Sequence, residues 1–290
     1  MKKAKIAIIG TGNIGTDLLV KIQRSEFLEC TLFAGRDLNS KGMIFAKDMG
    51  VPVTDRSISV IEENPDICDI VIDATSANVH RHNAPILKKL GKYAIDLTPS
   101  QVGEMCIPAI NGDECLRYDN INLITCGGQA MVPIAHAISK VCSNIKYFEI
   151  VSSIASKSAG PGTRENIDEF TQTTKKALLK FSSVSEAKVI ITLNPAEPPM
   201  TMHNTLYAII DNPNMRLISD AVNNMADELK KYVKGYKIWL EPVLEHGRIV
   251  TMIKVEGLGD YLPTYSGNLD IITCAAVNMA EKYAIAKLQK

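Results

Sequence analysis

Short, nearly uninterrupted apolar runs mark the first half of the chain. Residues 5–9 read Lys-Ile-Ala-Ile-Ile and residues 69–73 read Asp-Ile-Val-Ile-Asp. Such runs, without polar alternation, predict strands covered on both faces. Further strands are predicted at 30–34, 93–96 and 122–125, with helices between them at 16–24, 43–49, 57–63 and 79–89. The first of these helices turns Leu18, Leu19 and Ile22 inward. Strands alternating with helices predict an α/β fold, a Rossmann-type doubly wound parallel sheet.

The pattern changes after residue 126. A helix is predicted at 131–141, a longer strand at 147–156, a helix at 164–181, and strands at 188–193 and 205–210. The helix predicted at 213–232 has one apolar stripe, Leu217, Ile218, Ala221, Val222, Met225 and Leu229. Strands at 236–244 and 248–255 read as a hairpin around Glu245-His246-Gly247, and a last helix spans 267–288. Longer strands with fewer helices between them predict a mixed, largely antiparallel α+β sheet with helices on one side.

Composition narrows the function classes. The 290 residues are 46% hydrophobic and 22% charged, and 32 Lys and Arg balance 32 Asp and Glu. Zero net charge supplies no electrostatic reason to expect nucleic acid or an anionic membrane. No apolar run reaches the ~18 residues of a membrane helix. The basic opening runs straight into a strand and lacks a signal peptide's apolar region, so a cytoplasmic protein is expected. Seven cysteines form no Cys-x-x-Cys, and the only close histidine pair is His80 and His82, so neither disulfides nor a metal site is expected.

Gly10-Thr-Gly12-Asn-Ile-Gly15 joins the first strand to the first helix. Gly10 permits the tight turn, Gly12 the approach of a pyrophosphate, and Gly15 close packing of helix on strand. The helix start supplies N–H donors for the phosphates. This predicts a dinucleotide site, the alternative being a purely structural turn. Asp37 is placed to bind a ribose 2′-OH and Arg36 to meet adenine or a 2′-phosphate; both also read as solvated loop charges.

Thr125-Cys126-Gly-Gly-Gln129 lies between a predicted strand end and a predicted helix. Amides at a helix start favour a thiolate and can hold an oxyanion, and Gly127 and Gly128 are expected to leave room for substrate. Cys126 is therefore the candidate nucleophile; the alternative is a small buried hydrophobe. Cys30, Cys68, Cys142 and Cys274 read as such hydrophobes, and Cys106 and Cys115 have no polarising context.

With these residues in view, the chain resembles the acetylating acetaldehyde dehydrogenases that partner pyruvate-class aldolases, of the 4-hydroxy-2-oxovalerate aldolase type, in aromatic meta-cleavage pathways. The resemblance rests on Ile8-Ile-Gly-Thr-Gly-Asn-Ile-Gly-Thr-Asp17, Asp73-Ala-Thr-Ser76, Asp96-Leu-Thr-Pro99 and Thr125-Cys-Gly-Gly-Gln-Ala130. Later segments are Ser156-Lys-Ser-Ala-Gly-Pro-Gly-Thr-Arg164, Asn166-Ile-Asp-Glu-Phe-Thr171, Asn194-Pro-Ala-Glu-Pro-Pro199 and Gly267-Asn-Leu-Asp-Ile271.

The resemblance implies an architecture like glyceraldehyde-3-phosphate dehydrogenase. An NAD-binding domain would comprise 1–125 and 268–290, and a catalytic and dimerisation domain 126–267. It implies that Cys126 carries an acyl thioester, converting acetaldehyde, NAD and CoA to acetyl-CoA and NADH. NAD would lie against Thr11, Gly12, Asn13 and Ile14, against Ser158, Ala159, Gly160, Pro161, Gly162, Thr163, Arg164, Glu165 and Asn166, and against Asn268. Locally, 158–163 is a small-residue loop that also reads as a helix-entry turn, and Asn268 suits either a carboxamide or a helix N-cap. A homodimer through the second domain's sheet and an aldolase complex are further implications.

Two positions depart from the family. Asn204 stands where it usually has an aspartate near the thiol, and 236–255 is shorter than in relatives. Asparagine orients a thiol or water but takes no proton, so His203 becomes a candidate base, set against a structural role. Other readings are an acyl-CoA reductase for a different acyl group, a phosphorylating semialdehyde dehydrogenase, and a noncatalytic NAD-binding subunit.

Overall fold

The computed structural model describes residues 3–160, 163, 164 and 166–288. Pro161, Gly162 and Glu165, expected to contact NAD, lie outside the described residues. The chain divides into two compact units, one of residues 1–123 and 273–290, the other of 124–272.

The first unit begins with β1 (Ala4–Ile9), α1 (Asn13–Gln23), β2 (Leu28–Ala34), α2 (Lys41–Asp48) and β3 (Val53–Thr54). It continues with α3 (Ser59–Glu63), β4 (Ile70–Asp73), α4 (Ala77–Lys89), β5 (Tyr93–Asp96), β6 (Glu104–Met105), α5 (Pro108–Cys115) and β7 (Asn120–Asn122). Seven strands pair in parallel in the order β3-β2-β1-β4-β5-β7-β6. Ile6, Ile8, Ile9, Val71, Ile72 and Ile95 are fully buried, as expected for strands covered on both faces. Each such side chain contributes roughly 1.5–3 kcal/mol by leaving water.

The C-terminal end of the chain belongs to this unit. Thr273 donates to Asp17 of α1 at 2.6 Å, where Asp17 also pairs with Lys21 at 2.5 Å. Ser25 donates to Glu281 at 2.6 Å, and Tyr283 stacks on Tyr93 with ring centroids 4.1 Å apart.

The second unit holds α6 (Cys126–Val141), β8 (Ile145–Ala155), α7 (Ile167–Ser182), β9 (Ala187–Asn194), β10 (Met202–Ile210), α8 (Met215–Lys230), β11 (Tyr236–Glu245) and β12 (Arg248–Val255). Helix α9 (Gly267–Tyr283) starts here and ends in the first unit. The sheet order is β11-β12-β10-β8-β9, antiparallel except for the β8–β9 pair. Along β10, Met202, Asn204, Leu206 and Ala208 are buried while His203, Thr205 and Tyr207 are half-exposed. That alternation means one covered and one open face. Helices α6, α7 and α8 supply the cover, and Tyr236 donates to the Ala130 carbonyl at 2.7 Å.

Four expectations are corrected. Helix α6 begins at Cys126 rather than 131, and the strand expected at 122–125 is β7, ending at Asn122. The inward face of α8 is carried by Ile218, Val222, Ala226 and Leu229, while Leu217 is 47% exposed. The final helix gives way at Ala284–Leu288 to a π-helical turn. No described helix is long and apolar enough to cross a membrane.

Candidate functional site

The glycine turn of the first unit is closed on one side and open on the other. Gly10 has φ +107°, and a Cβ there would lie 2.5 Å from the Ala74 carbonyl oxygen. A Cβ on Gly15 would fall 1.8 Å from the Gly10 oxygen, so helix and turn touch backbone to backbone. A Cβ on Gly12 would meet nothing within 4 Å. Gly12 caps α1 without any side-chain hydrogen bond, and Asn13 and Ile14 are the first residues of that helix. The turn thus offers uncapped N–H groups and open space at one point, which fits a pyrophosphate. Thr11 approaches Ser40, with their hydroxyls 3.4 Å apart. Arg36 and Asp37 are exposed, and Asp37 accepts from the Asn39 amide at 2.9 Å, a local turn.

In the second unit, Cys126 is the first residue of α6 and is half-buried. Thr125 caps the helix, accepting from the Gly128 amide at 2.9 Å and meeting the Thr174 hydroxyl at 2.6 Å. Ile124, just before it, sits at φ +53°, a strained conformation for a β-branched residue. Packing and cap together hold the thiol at the helix start. The backbone amides of Gly127 and Cys126 beside its sulfur favour the thiolate.

The expected ease of ionisation is corrected. Burial pushes the Cys126 thiol up to about 12, and the two amides only partly offset that desolvation. The expected room at the glycines is corrected too. A Cβ on Gly127 would lie 2.6 Å from Ser152 Oγ and 3.0 Å from the Phe170 ring, and one on Gly128 2.6 Å from Ile124 Cδ1. Gly127 is needed to seat α6 on β8 and α7, and Gly128 to fold the helix start against Ile124 and Thr125.

Beneath that seat lies a cluster of buried polar groups. Asn204 is aligned with Ser152 in the β10–β8 register. Both are fully buried, and neither the Asn204 amide atoms nor Ser152 Oγ has a hydrogen-bond partner among the described residues. No hydrogen bond joins Asn204 to the thiol. His203 takes the opposite face by strand alternation, its ring 4.3 Å from that of Trp239. Burial, with Lys254 nearby, lowers its basicity. His203 is therefore excluded as the base expected beside the thiol.

The 156–160 loop is held from within the same unit. Ser158 Oγ donates to the Ala155 carbonyl at 2.9 Å, and Arg164 donates to the Ser156 and Ala159 carbonyls at 2.9 and 3.1 Å. Thr163 donates through its amide to Gly160, and the Asn166 carbonyl accepts from Phe170 at the entry to α7. Asn268, buried near the start of α9, donates to the Ser158 carbonyl at 3.4 Å, leaving its Oδ1 without a partner. Ser158, Arg164 and Asn268 are thus gathered around one loop, with an unpaired amide oxygen beside it. Among the described residues, no three His, Cys, Asp or Glu side chains are arranged to hold a metal ion.

Sequence reasoning assigned no role to Thr125, Ser152 or the Asp73, His80 and Asp96 group described below. The last had a visible signal: strands β4 and β5 end on Asp73 and Asp96, carboxylates closing apolar strands.

Known proteins bear on this geometry in three ways. A family described as prokaryotic acetaldehyde dehydrogenase, dimerisation, matches residues 126–263, and one described as semialdehyde dehydrogenase, NAD binding domain, matches residues 5–114. An acetaldehyde dehydrogenase of Pectobacterium atrosepticum is 54% identical over 97% of this chain and 95% of its own. One of Spirochaeta aurantia is 50% identical over 98% and 96%. The solved structure of aspartate semialdehyde dehydrogenase II from Vibrio cholerae, in complex with ASA, shares the fold, with a TM-score of 0.65 at 14% identity over 96% of this chain and 98% of its own. The chain belongs to the prokaryotic acetaldehyde dehydrogenase family, NAD-dependent oxidoreductases that act on aldehydes.

Proposed function

We propose that this chain oxidises acetaldehyde with NAD and transfers the acyl group to coenzyme A, releasing acetyl-CoA and NADH. The observation that carries the reading is the Cys126 thiol on the first turn of a helix capped by Thr125, where the backbone amides of Gly127 and Cys126 favour the thiolate. Sulfur attacks the aldehyde carbon, and the same amides stabilise the oxygen of the resulting thiohemiacetal. The alkoxide then collapses to an acyl thioester on Cys126. NAD, which the Gly10 to Gly15 turn of the first unit would hold, would accept the hydride, and the unpaired Asn268 Oδ1 is a further acceptor within the second unit. The thiol of coenzyme A displaces Cys126 and restores it. Seven free cysteines, with NAD and coenzyme A as reactants, fit a reducing cytoplasmic compartment.

The assay is NADH formation from acetaldehyde and NAD with purified protein, with and without coenzyme A. Strict dependence on coenzyme A is expected. NADH formed equally well without it would mean hydrolysis of the thioester, and none in either case would defeat the proposal.

Asn204 cannot take a proton, so its role in this reading is to orient water or substrate through its unpaired amide. A buried amide without partners costs about 1–3 kcal/mol. Asn204→Leu, similar in shape, should leave unfolding stability unchanged or raise it by about 1 kcal/mol, while lowering kcat by at least about tenfold. Denaturant titration and initial rates measure the two effects. Full activity in that variant would make Asn204 a structural residue.

The open face of the second sheet is the proposed homodimer interface. Trp239 is 59% and Ile209 42% exposed there, with Tyr207 and Val151 half-buried beside them. The matched dimerisation family covers these strands. An aldolase of the 4-hydroxy-2-oxovalerate type is the proposed partner enzyme, supported by the family resemblance alone.

A further inference from the structure

A buried charged cluster stands behind the dinucleotide turn in the first unit. His80 on α4 is fully buried, and its Nδ1 lies 2.9 Å from Asp73 Oδ2 at the end of β4. Its Nε2 lies 3.6 Å from Asp96 Oδ2 at the end of β5 and 3.0 Å from the Asn120 amide of β7. Asn83, also on α4, donates to Asp73 at 3.0 Å. Asp96 is held in turn by Ser100, by Asn122 at 2.7 Å and by the Thr98 amide at 2.7 Å. The ring therefore faces two carboxylates and one amide able to serve either of its protonation states.

The cluster reaches the turn through two short steps. The other oxygen of Asp73 accepts from both the amide and the hydroxyl of Thr75, folding the 73–76 loop. In that loop the Ala74 amide donates to the Ile9 carbonyl at 2.7 Å, and the Ala74 carbonyl and Thr75 amide form the surface on which Gly10 closes. A shift of Asp73 is a shift of the floor beneath Gly10.

We propose that His80 is a positioning residue for the cofactor: its imidazolium, clamped between Asp73 and Asp96, fixes the 73–76 loop under the glycine turn, and dinucleotide affinity falls when the ring loses its proton. Burial alone lowers the basicity of His80, but the Asp73 hydrogen bond and the charges of Asp96 and Asp73 outweigh it and raise the group overall. The two carboxylates therefore favour the cation over the neutral ring. A raised imidazole contributes its stabilisation below its unfolded pKa and loses it as pH rises through the folded one. Above that point two carboxylates face each other across a neutral ring. Burial already holds Asp96 above the usual carboxylate range.

The inference rests on NAD occupying the Gly10 to Gly15 turn. The test is NADH fluorescence titration of the full chain from about pH 6 to about pH 10, with wild type, His80→Gln and Asp96→Asn. Wild-type Kd should rise by at least about fivefold across one titration step. His80→Gln keeps a donor for Asp73 but not the charge. It should bind more weakly at neutral pH by a similar factor and show no step. Asp96→Asn removes one flanking carboxylate and should move the step to lower pH, which a merely structural role would not do. The histidine proton–carbon NMR signal absent from His80→Gln should titrate at the same pH as the step. A flat wild-type profile, or an unchanged step in His80→Gln, overturns the inference. NADH binding unaffected by Gly12→Asp would instead overturn the placement of the dinucleotide, and this inference with it.

Discussion

Cys126→Ala should lower NADH formation from acetaldehyde by at least about 10⁴-fold while leaving the Kd for NADH within about twofold. The substitution removes one sulfur from a half-buried position, a loss of about 1 kcal/mol or less to the fold. The Thr125 cap and the α6 packing do not depend on it. Initial rates, NADH titration and thermal unfolding separate the three effects. Measurable turnover in the variant would exclude the thioester route. The same thiol predicts a pH dependence. Burial pushes it up to about 12, so the thiolate is scarce at neutral pH and increases with every step upward. Iodoacetamide labelling of Cys126, and kcat/KM for aldehyde, should both climb by up to about tenfold per pH unit through the neutral range. A plateau near neutral pH would show that another group lowers the thiol during turnover.

Gly12→Asp should weaken NADH binding by at least about a hundredfold with no loss of stability. Gly12 is the N-cap of α1, in an extended conformation at φ −79°, ψ −166° that any residue adopts. Aspartate is among the preferred N-caps, and relative to glycine it adds a few tenths of a kcal/mol to the helix. A side chain there meets no neighbour. Its carboxylate, however, occupies the space and the amides proposed for the pyrophosphate, and like charges repel. Fluorescence titration and thermal unfolding together measure this. Undiminished binding would move the cofactor elsewhere. Gly15 offers no such separation, since a Cβ 1.8 Å from the Gly10 oxygen disrupts the turn itself.

The parallel sheet was legible because its strands are apolar on both faces. Residues 93–96 and 248–255 were placed to the residue. Strands β3 and β6, two residues each, carry no period and were not predicted. The start of α6 was placed five residues late because Gly127-Gly128 reads locally as a helix breaker. Those glycines are instead selected by Ser152, Phe170 and Ile124, all distant in sequence or folded back upon them. Leu217 was assigned inward from helical spacing alone. Packing rotated the face so that Ala226 took that side and Leu217 met solvent.

By itself, the sequence determined the alternation of the longer strands and helices, the glycine turn, the prominence of Cys126 and the family. All are carried by local period or by contiguous motifs. Tertiary structure alone decided which side of β10 faces the thiol's helix, turning Asn204 in and His203 out. It also decided that the thiol is desolvated more strongly than its two amides compensate. The Asp73, His80 and Asp96 cluster belongs to the same class, since it joins the ends of separate strands. Burial, facing and charge proximity depend on which distant segments meet, and residue spacing along one segment does not encode that.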